Sequence, residues 1–278
     1  ERGLRPGTPA YESARLESES RDALGRRKRI LLRRAVALAP NNSLAWRFLA
    51  GDTPDVEEEL VLRRRAVEAA RAAAAGSETP RDSHRADGEE DPLDVIYAGP
   101  LAELHLALVQ LGIALQPVGL FEESVEVLSE ALRTLPDDID LVVQPLALAL
   151  VRLGRDAEAA AVPRLEAERF LGPDELIQEH TVFWAYLDAL LAFRAGGDGP
   201  QARAALAAAL QLNPNVAAAM WAKEKQRLSG KPEPRPTKPE AKWIKQGMFD
   251  AWETTAGALA WMMEQVLDLM NRRKQERR

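Results

Sequence analysis

Histidines, cysteines and paired carboxylates are where catalytic or metal chemistry would start, and this chain offers little of it. Its 278 residues contain no cysteine, which excludes disulfide staples, thiolate metal sites and a cysteine nucleophile. Its three histidines are His84, His105 and His180. His105 sits in an apolar run and reads as a core or groove histidine; His180 follows Glu179, and one Glu-His pair is thin evidence for a base or a ligand. The carboxylate groups Glu89-Glu90-Asp91, Glu122-Glu123 and Asp137-Asp138 fall at turns or helix starts, where negative charge complements the helix dipole. The run "RAGGDGP" lacks the lysine and spacing of a phosphate loop, and no Gly-x-Ser-x-Gly elbow occurs. The expectation is a non-catalytic protein with no catalytic, cofactor-binding or metal-ligating residue and no cofactor.

Arginine is the other chemistry-bearing residue. In "RRKRILLRR", Arg26, Arg29 and Arg33 share one helical face, which could contact phosphate or an acidic partner. Glu57, Glu58, Glu59 and Glu68, with Arg63, Arg64 and Arg65, suggest instead an outer face balanced by ion pairs. The formal charge of -6 argues against a nucleic-acid binder, and no aromatic–basic interleaving supports base stacking. An apolar fraction of 46% excludes wholesale disorder. Leu104 to Phe121 carries no formal charge, but His105, Gln110, Gln116 and Pro117 interrupt it, so a buried helix and turn is expected rather than a membrane span. A cysteine-free chain is compatible with a soluble, reducing compartment, and the compartment stays open: the cytoplasm, or an organelle interior if a targeting peptide preceded Glu1.

The elements that must position these residues are helices. Alanine, leucine, arginine and glutamate dominate, and alternating β-branched runs do not occur. One spacing recurs. Leu108, Leu111-Gly112, Phe121, Ser124, Leu128, Ala131-Leu132 and Pro136 are matched by Tyr186, Ala189-Leu190, Gly199, Ala202, Leu206, Ala209-Leu210 and Pro214. Small residues let two helices approach, and leucines at i, i+3 and i+4 make a buried stripe. Proline after the second helix stops it. One hairpin cannot bury its own stripe, so each stacks on the next. Two prolines interrupt this pattern, and the expectation is a late helix start near Pro145 and a kink near Pro163.

On these residues the chain resembles the tetratricopeptide repeat family. Residues 105–138 and 183–216 carry the pattern best, 139–174 more loosely, and about 9–42 and 43–75 in part through Ala35, Pro40, Trp46, Leu49 and Ala66. The resemblance implies an all-α fold, an α-α superhelix of antiparallel hairpins with a C-terminal capping helix. The end of the chain, from "ALQLNPNV" through a proline-rich stretch to "DAWETTAGALAWM", is similar to bacterial and algal tetratricopeptide proteins that close with an Asn-Pro-x-Val turn, a proline-rich crossing and an "AW…GALxW" helix. The expected organisation is degenerate repeats over 1–75, a disordered linker over 76–92, repeats over 93–228, a proline-rich linker over 229–239, and an amphipathic capping helix with a basic tail over 240–278. Along that last helix, Met248, Trp252, Ala256, Leu259, Met263, Val266, Leu267 and Met270 form the expected apolar face.

The resemblance also implies a concave surface lined by the first helix of each hairpin. Mapped onto this chain, its lining is Leu106, Val109, Ile113, Leu141, Gln144, Leu148, Trp184, Leu187, Leu191 and Arg194. Family members that hold a C-terminal carboxylate use lysine, asparagine and arginine there, and these are nearly absent. A groove this apolar should be covered. It is covered by the chain's own C-terminal helix, by tight curling of the repeats, or by a helix or peptide of a protein partner. The expected function is a protein-interaction scaffold or adaptor, with the structural subunit or assembly factor of a larger complex as the alternative.

Overall fold

The computed structural model describes residues 5–75, 99–136, 140–169, 177–229 and 247–276. The expected linkers over 76–92 and 229–239 lie outside these residues, apart from Ser229 at the end of a helix. Among the described residues there is no strand. The helices are α1 (Pro9–Arg21), α2 (Gly25–Leu38), α3 (Ser43–Gly51), α4 (Val56–Ala74), α5 (Pro100–Leu115), α6 (Phe121–Thr134), α7 (Asp140–Arg152), α8 (Asp156–Arg169), α9 (Ile177–Gly196), α10 (Pro200–Leu212), α11 (Pro214–Ser229), α12 (Phe249–Thr254) and α13 (Ala258–Glu276). They divide into two compact units, Glu1–Val142 and Val143–Arg278. The fold class is all-α, built within each unit from antiparallel helix hairpins.

In the first unit each helix packs on the next, α1 on α2 through α5 on α6. Helix starts are set by side chains: Thr8, Asn42 and Asp55 accept from the backbone N–H of Tyr11, Ala45 and Glu58. Small residues carry the contacts, with Ala35, Ala45, Ala70 and Ala131 fully buried. Gly112 is the tightest of these sites. A Cβ built there would lie 2.5 Å from Leu128 Cγ, so α5 and α6 can meet only because residue 112 has no side chain.

Buried polar side chains on first helices also lock onto carbonyls of their second helices. Ser13 Oγ donates to the Ala35 carbonyl at 2.8 Å, and Ser124 Oγ on α6 donates back to Gly112 at 2.7 Å. His105 Nδ1 lies 3.0 Å from the Ala131 carbonyl, which can only accept, so that nitrogen carries the proton. His105 is thus a core residue that ties α5 to α6.

The run Pro100–Val118 is long and apolar enough to cross a membrane by length and composition, yet half of it is buried inside the protein. Helix α5 within it packs on both α4 and α6.

In the second unit α9 and α10 form the central hairpin, and Tyr186 on α9 donates its hydroxyl to the Asn213 carbonyl at 2.7 Å. Burial pushes the Tyr186 phenol well above its ordinary value, so it stays a donor at any ordinary pH. The turn between α7 and α8 places Gly154 at φ +73°, a left-handed conformation that favours glycine.

Helix α7 does not start late: it begins at Asp140 and holds Pro145 in its interior. A proline loses one backbone donor to the turn before it, and the buried Val142, Val143, Leu146, Ala147 and Leu148 around it supply the packing that offsets this. Helix α8 likewise continues through Pro163.

The C-terminal region is two helices rather than one. Between α12 and α13, Gly257 adopts φ +77°, and the hydroxyls of Thr254 and Thr255 donate to carbonyls of α12. Such back-bonding competes with helix continuation. The break shifts the phase of the apolar stripe. Of the expected face, Met248, Trp252 and Met263 are buried and Ala256 and Leu267 are exposed, while Ala258, Trp261 and Met262 are buried outside it.

Candidate functional site

The first-helix surface differs between the two units. In the first unit α5 carries Leu106, half-buried, Val109, buried, and Ile113, which is 47% exposed. Leu141, at the start of α7, is 46% exposed. On α5, Leu106, Val109 and Ile113 recur at helical spacing and so share a face.

In the second unit the corresponding residues are largely internal. Gln144, Leu148, Trp184 and Leu187 are buried, and Leu191 and Arg194 are partly accessible. Arg194 is committed within the protein: its Nη1 donates to the Val151 carbonyl at 3.0 Å and its Nε lies 2.9 Å from Asp156 Oδ2. The guanidinium thereby ties α9 to the α7–α8 turn.

The chain's own C-terminal segment reaches this second unit. A Cβ at Gly247 would lie 3.5 Å from Leu148 Cδ1. Trp261 stacks on Phe193 of α9 with ring centroids 4.6 Å apart, and Trp252 stacks parallel to Trp261 at 6.3 Å. Trp261 Nε1 donates to Asp198 Oδ1 at 2.7 Å, while Arg203 donates to both oxygens of the same carboxylate. These hydrogen bonds from Arg203 and Trp261 hold the Asp198 carboxyl below its usual range. Lys223 Nζ sits 4.4 Å from the Phe249 ring centroid and 3.8 Å from Asp250. The Asp198–Trp261 anchor is absent from any sequence motif. Its only trace is a tryptophan with a polar edge, which usually finds a partner when buried.

Arginines in the first unit fall into two groups. Those of α4 are spent on structure. Arg63 pairs with Glu59, Arg65 with Glu68, Arg64 with Glu123 and Arg71 with Glu130, the last two joining α4 to α6. Arg47 on α3 lies 2.7 Å from Glu103, and both Arg47 and Arg63 donate to Gln110. On α2 the structure does bring Arg26, Arg29 and Arg33 together, in a surface cavity of about 460 Å³ shared with Ile30, Thr53, Pro54 and Glu58. Among the described residues there is no group of histidines and carboxylates that could hold a metal ion.

No protein-family model matches the chain, and no curated protein is significantly similar to it. Among solved structures it is similar to a thermophilic TPR protein of Thermus thermophilus, at 21% identity, with 74% of this chain and 90% of that chain covered and a TM-score of 0.34. The fold assignment rests on the hairpins themselves.

Proposed function

We propose that this chain is a non-catalytic scaffold that docks a helix or peptide of a protein partner on the apolar first-helix surface of its first unit. The observation that carries this reading is the exposure of Ile113 beside half-buried Leu106 on one face of α5. Branched apolar side chains presented at helical spacing suit an amphipathic helix laid against them. The surface in the second unit is a poorer candidate, because Leu148 and Leu187 are internal and Arg194 is already paired.

The test is photo-crosslinking from position 113 in cells, with Val61, exposed on α4, as the control position. The reading expects a discrete adduct from position 113 that Leu106→Asp removes. Equal adducts from both positions would move the docking surface elsewhere.

The alternative is a structural subunit or assembly factor of a larger complex. It draws support from Leu212, Trp221 and Leu228, which expose large apolar surface on α10 and α11 of the second unit. Light scattering on the isolated chain separates the two. A subunit stripped of its complex aggregates, whereas a transient scaffold stays monodisperse.

A further inference from the structure

We propose that the cavity bounded by α2 and the α3–α4 turn is a second binding site, one that takes an acidic peptide segment with apolar residues between its carboxylates. Three guanidiniums, Arg26, Arg29 and Arg33, face one carboxylate, Glu58, in the lining. This excess of positive charge occurs in a chain whose formal charge is -6. The α4 arginines each meet a carboxylate, whereas Arg26 is exposed with no carboxylate partner among the described residues, and Arg29 reaches only the Asp52 carbonyl at 3.3 Å.

The placement of the guanidiniums decides which anion fits. Arg33 is drawn to Glu58 at 3.0 Å and Arg29 to the backbone of Asp52. Two of the three are thus held by different partners. Arg26 and Arg33 are two turns apart, and the rise of a helix puts their backbones about 10 Å apart. This is a ladder of donors rather than a cradle for one phosphate. Carboxylates spaced along a peptide match it, each taking a forked guanidinium.

Ile30, 49% exposed, lies between Arg29 and Arg33 on α2, and Pro54, also exposed, lines the same cavity, so the two offer apolar surface for the intervening side chains. Thr53 does not compete for the ligand, because its hydroxyl donates to the Leu49 carbonyl at 2.7 Å. No aromatic ring lines the cavity, so it offers no platform for a nucleobase. The site uses the second helix of its hairpin and is independent of the α5 surface.

The test is fluorescence anisotropy on the full chain with a short labelled peptide in which glutamates alternate with leucines. Binding is expected at low salt and should weaken as ionic strength rises. Arg26→Glu should weaken it by about tenfold or more, the scale of one charge-assisted contact. Arg34→Glu makes the same charge change elsewhere on α2 and should leave binding within about twofold. Glu58→Gln removes the competing carboxylate and should tighten binding, an effect that damaged folding would not produce.

The proposal is overturned if the peptide does not bind at low salt, or if Arg26→Glu and Arg34→Glu act alike. It is also overturned if a glutamine-for-glutamate peptide binds equally well. Displacement of the peptide by millimolar inorganic phosphate, or tighter binding of an oligothymidylate strand that Arg26→Glu abolishes, would assign the site to a different anion.

Discussion

The two units solve one packing problem in different ways. The first is cross-linked by polar side chains: Arg64 and Arg71 reach from α4 to α6, Arg47 reaches from α3 to α5, and Ser13 and His105 bond to carbonyls. The second adds large buried side chains, Phe183, Tyr186, Leu187, Phe249 and Trp252, to fewer described polar ties, among them those of Arg194, Tyr186 and Asp198. Their surface cavities differ in sign as well. The one in the first unit gathers three arginines against one glutamate. The one in the second, of about 580 Å³, gathers Asp198, Glu264 and Asp268 against Arg203. The first unit keeps an accessible first-helix face, and the second has its own C-terminal helices packed upon it. A shared hairpin therefore fixes how helices stack and leaves open what a surface binds.

The sharpest way to break the comparison is to attack first-helix residues that are internal in one unit and accessible in the other. Leu148→Asp with Leu187→Asp buries two carboxylates and should cost more than about 4 kcal/mol, unfolding the second unit. Ile113→Asp, at an accessible position, should change the melting temperature little. Circular dichroism melts of the two variants check this, and equal losses would erase the distinction. Next in size, Trp261→Ala removes the stack on Phe193 and the bond to Asp198 and should cost about 3–5 kcal/mol. Helix-resolved hydrogen exchange should show that loss in α9, α11 and α13, with α1 to α6 unchanged.

Gly112→Val tests the first unit, since its Cβ meets Leu128 and overpacking costs about 1–3 kcal/mol. Gly51→Ala is the matched control, because nothing lies within 4 Å of its added methyl. Chemical denaturation should separate the two variants.

The smallest expected effect is electrostatic. The Asp198 carboxyl titrates below its ordinary value because Arg203 and Trp261 hydrogen-bond its charged form. A depressed folded-state value gives stability that is present above the unfolded-state value and lost as pH falls through the folded one. Asp198→Asn should therefore lower the second unit's stability at neutral pH and flatten its acid-side loss. An unchanged acid limb in pH-dependent melts would show that the anchor contributes nothing.

The hairpins were legible in the sequence because their signals are local. Gly112, Ser124, Leu128, Ala131 and Pro136 occupy a spacing that only paired helices satisfy, and the structure places them in one α5–α6 contact and its closing turn. The start of α7 was not legible, because tertiary burial of its valines and leucines outweighs the local cost of Pro145. Nor was the break at Gly257, which a hydrophobic period alone reads through. Which first-helix residues stay accessible was beyond any spacing argument, since Ile113 and Leu187 are similar in chemistry and differ only in what packs over them. The alignment of Arg26, Arg29 and Arg33 on one face was readable from helical period. The place of Pro54 beside them was not, because it comes from a turn distant in sequence.

The most direct test of the account is hydrogen exchange by mass spectrometry on the full chain and on a chain lacking residues 241–278. The account predicts that removing the C-terminal helices deprotects α9 and α11 and leaves α1 to α6 as they were. Unchanged protection of α9 and α11 would contradict it, because the second unit would then be complete without its own C-terminal helices.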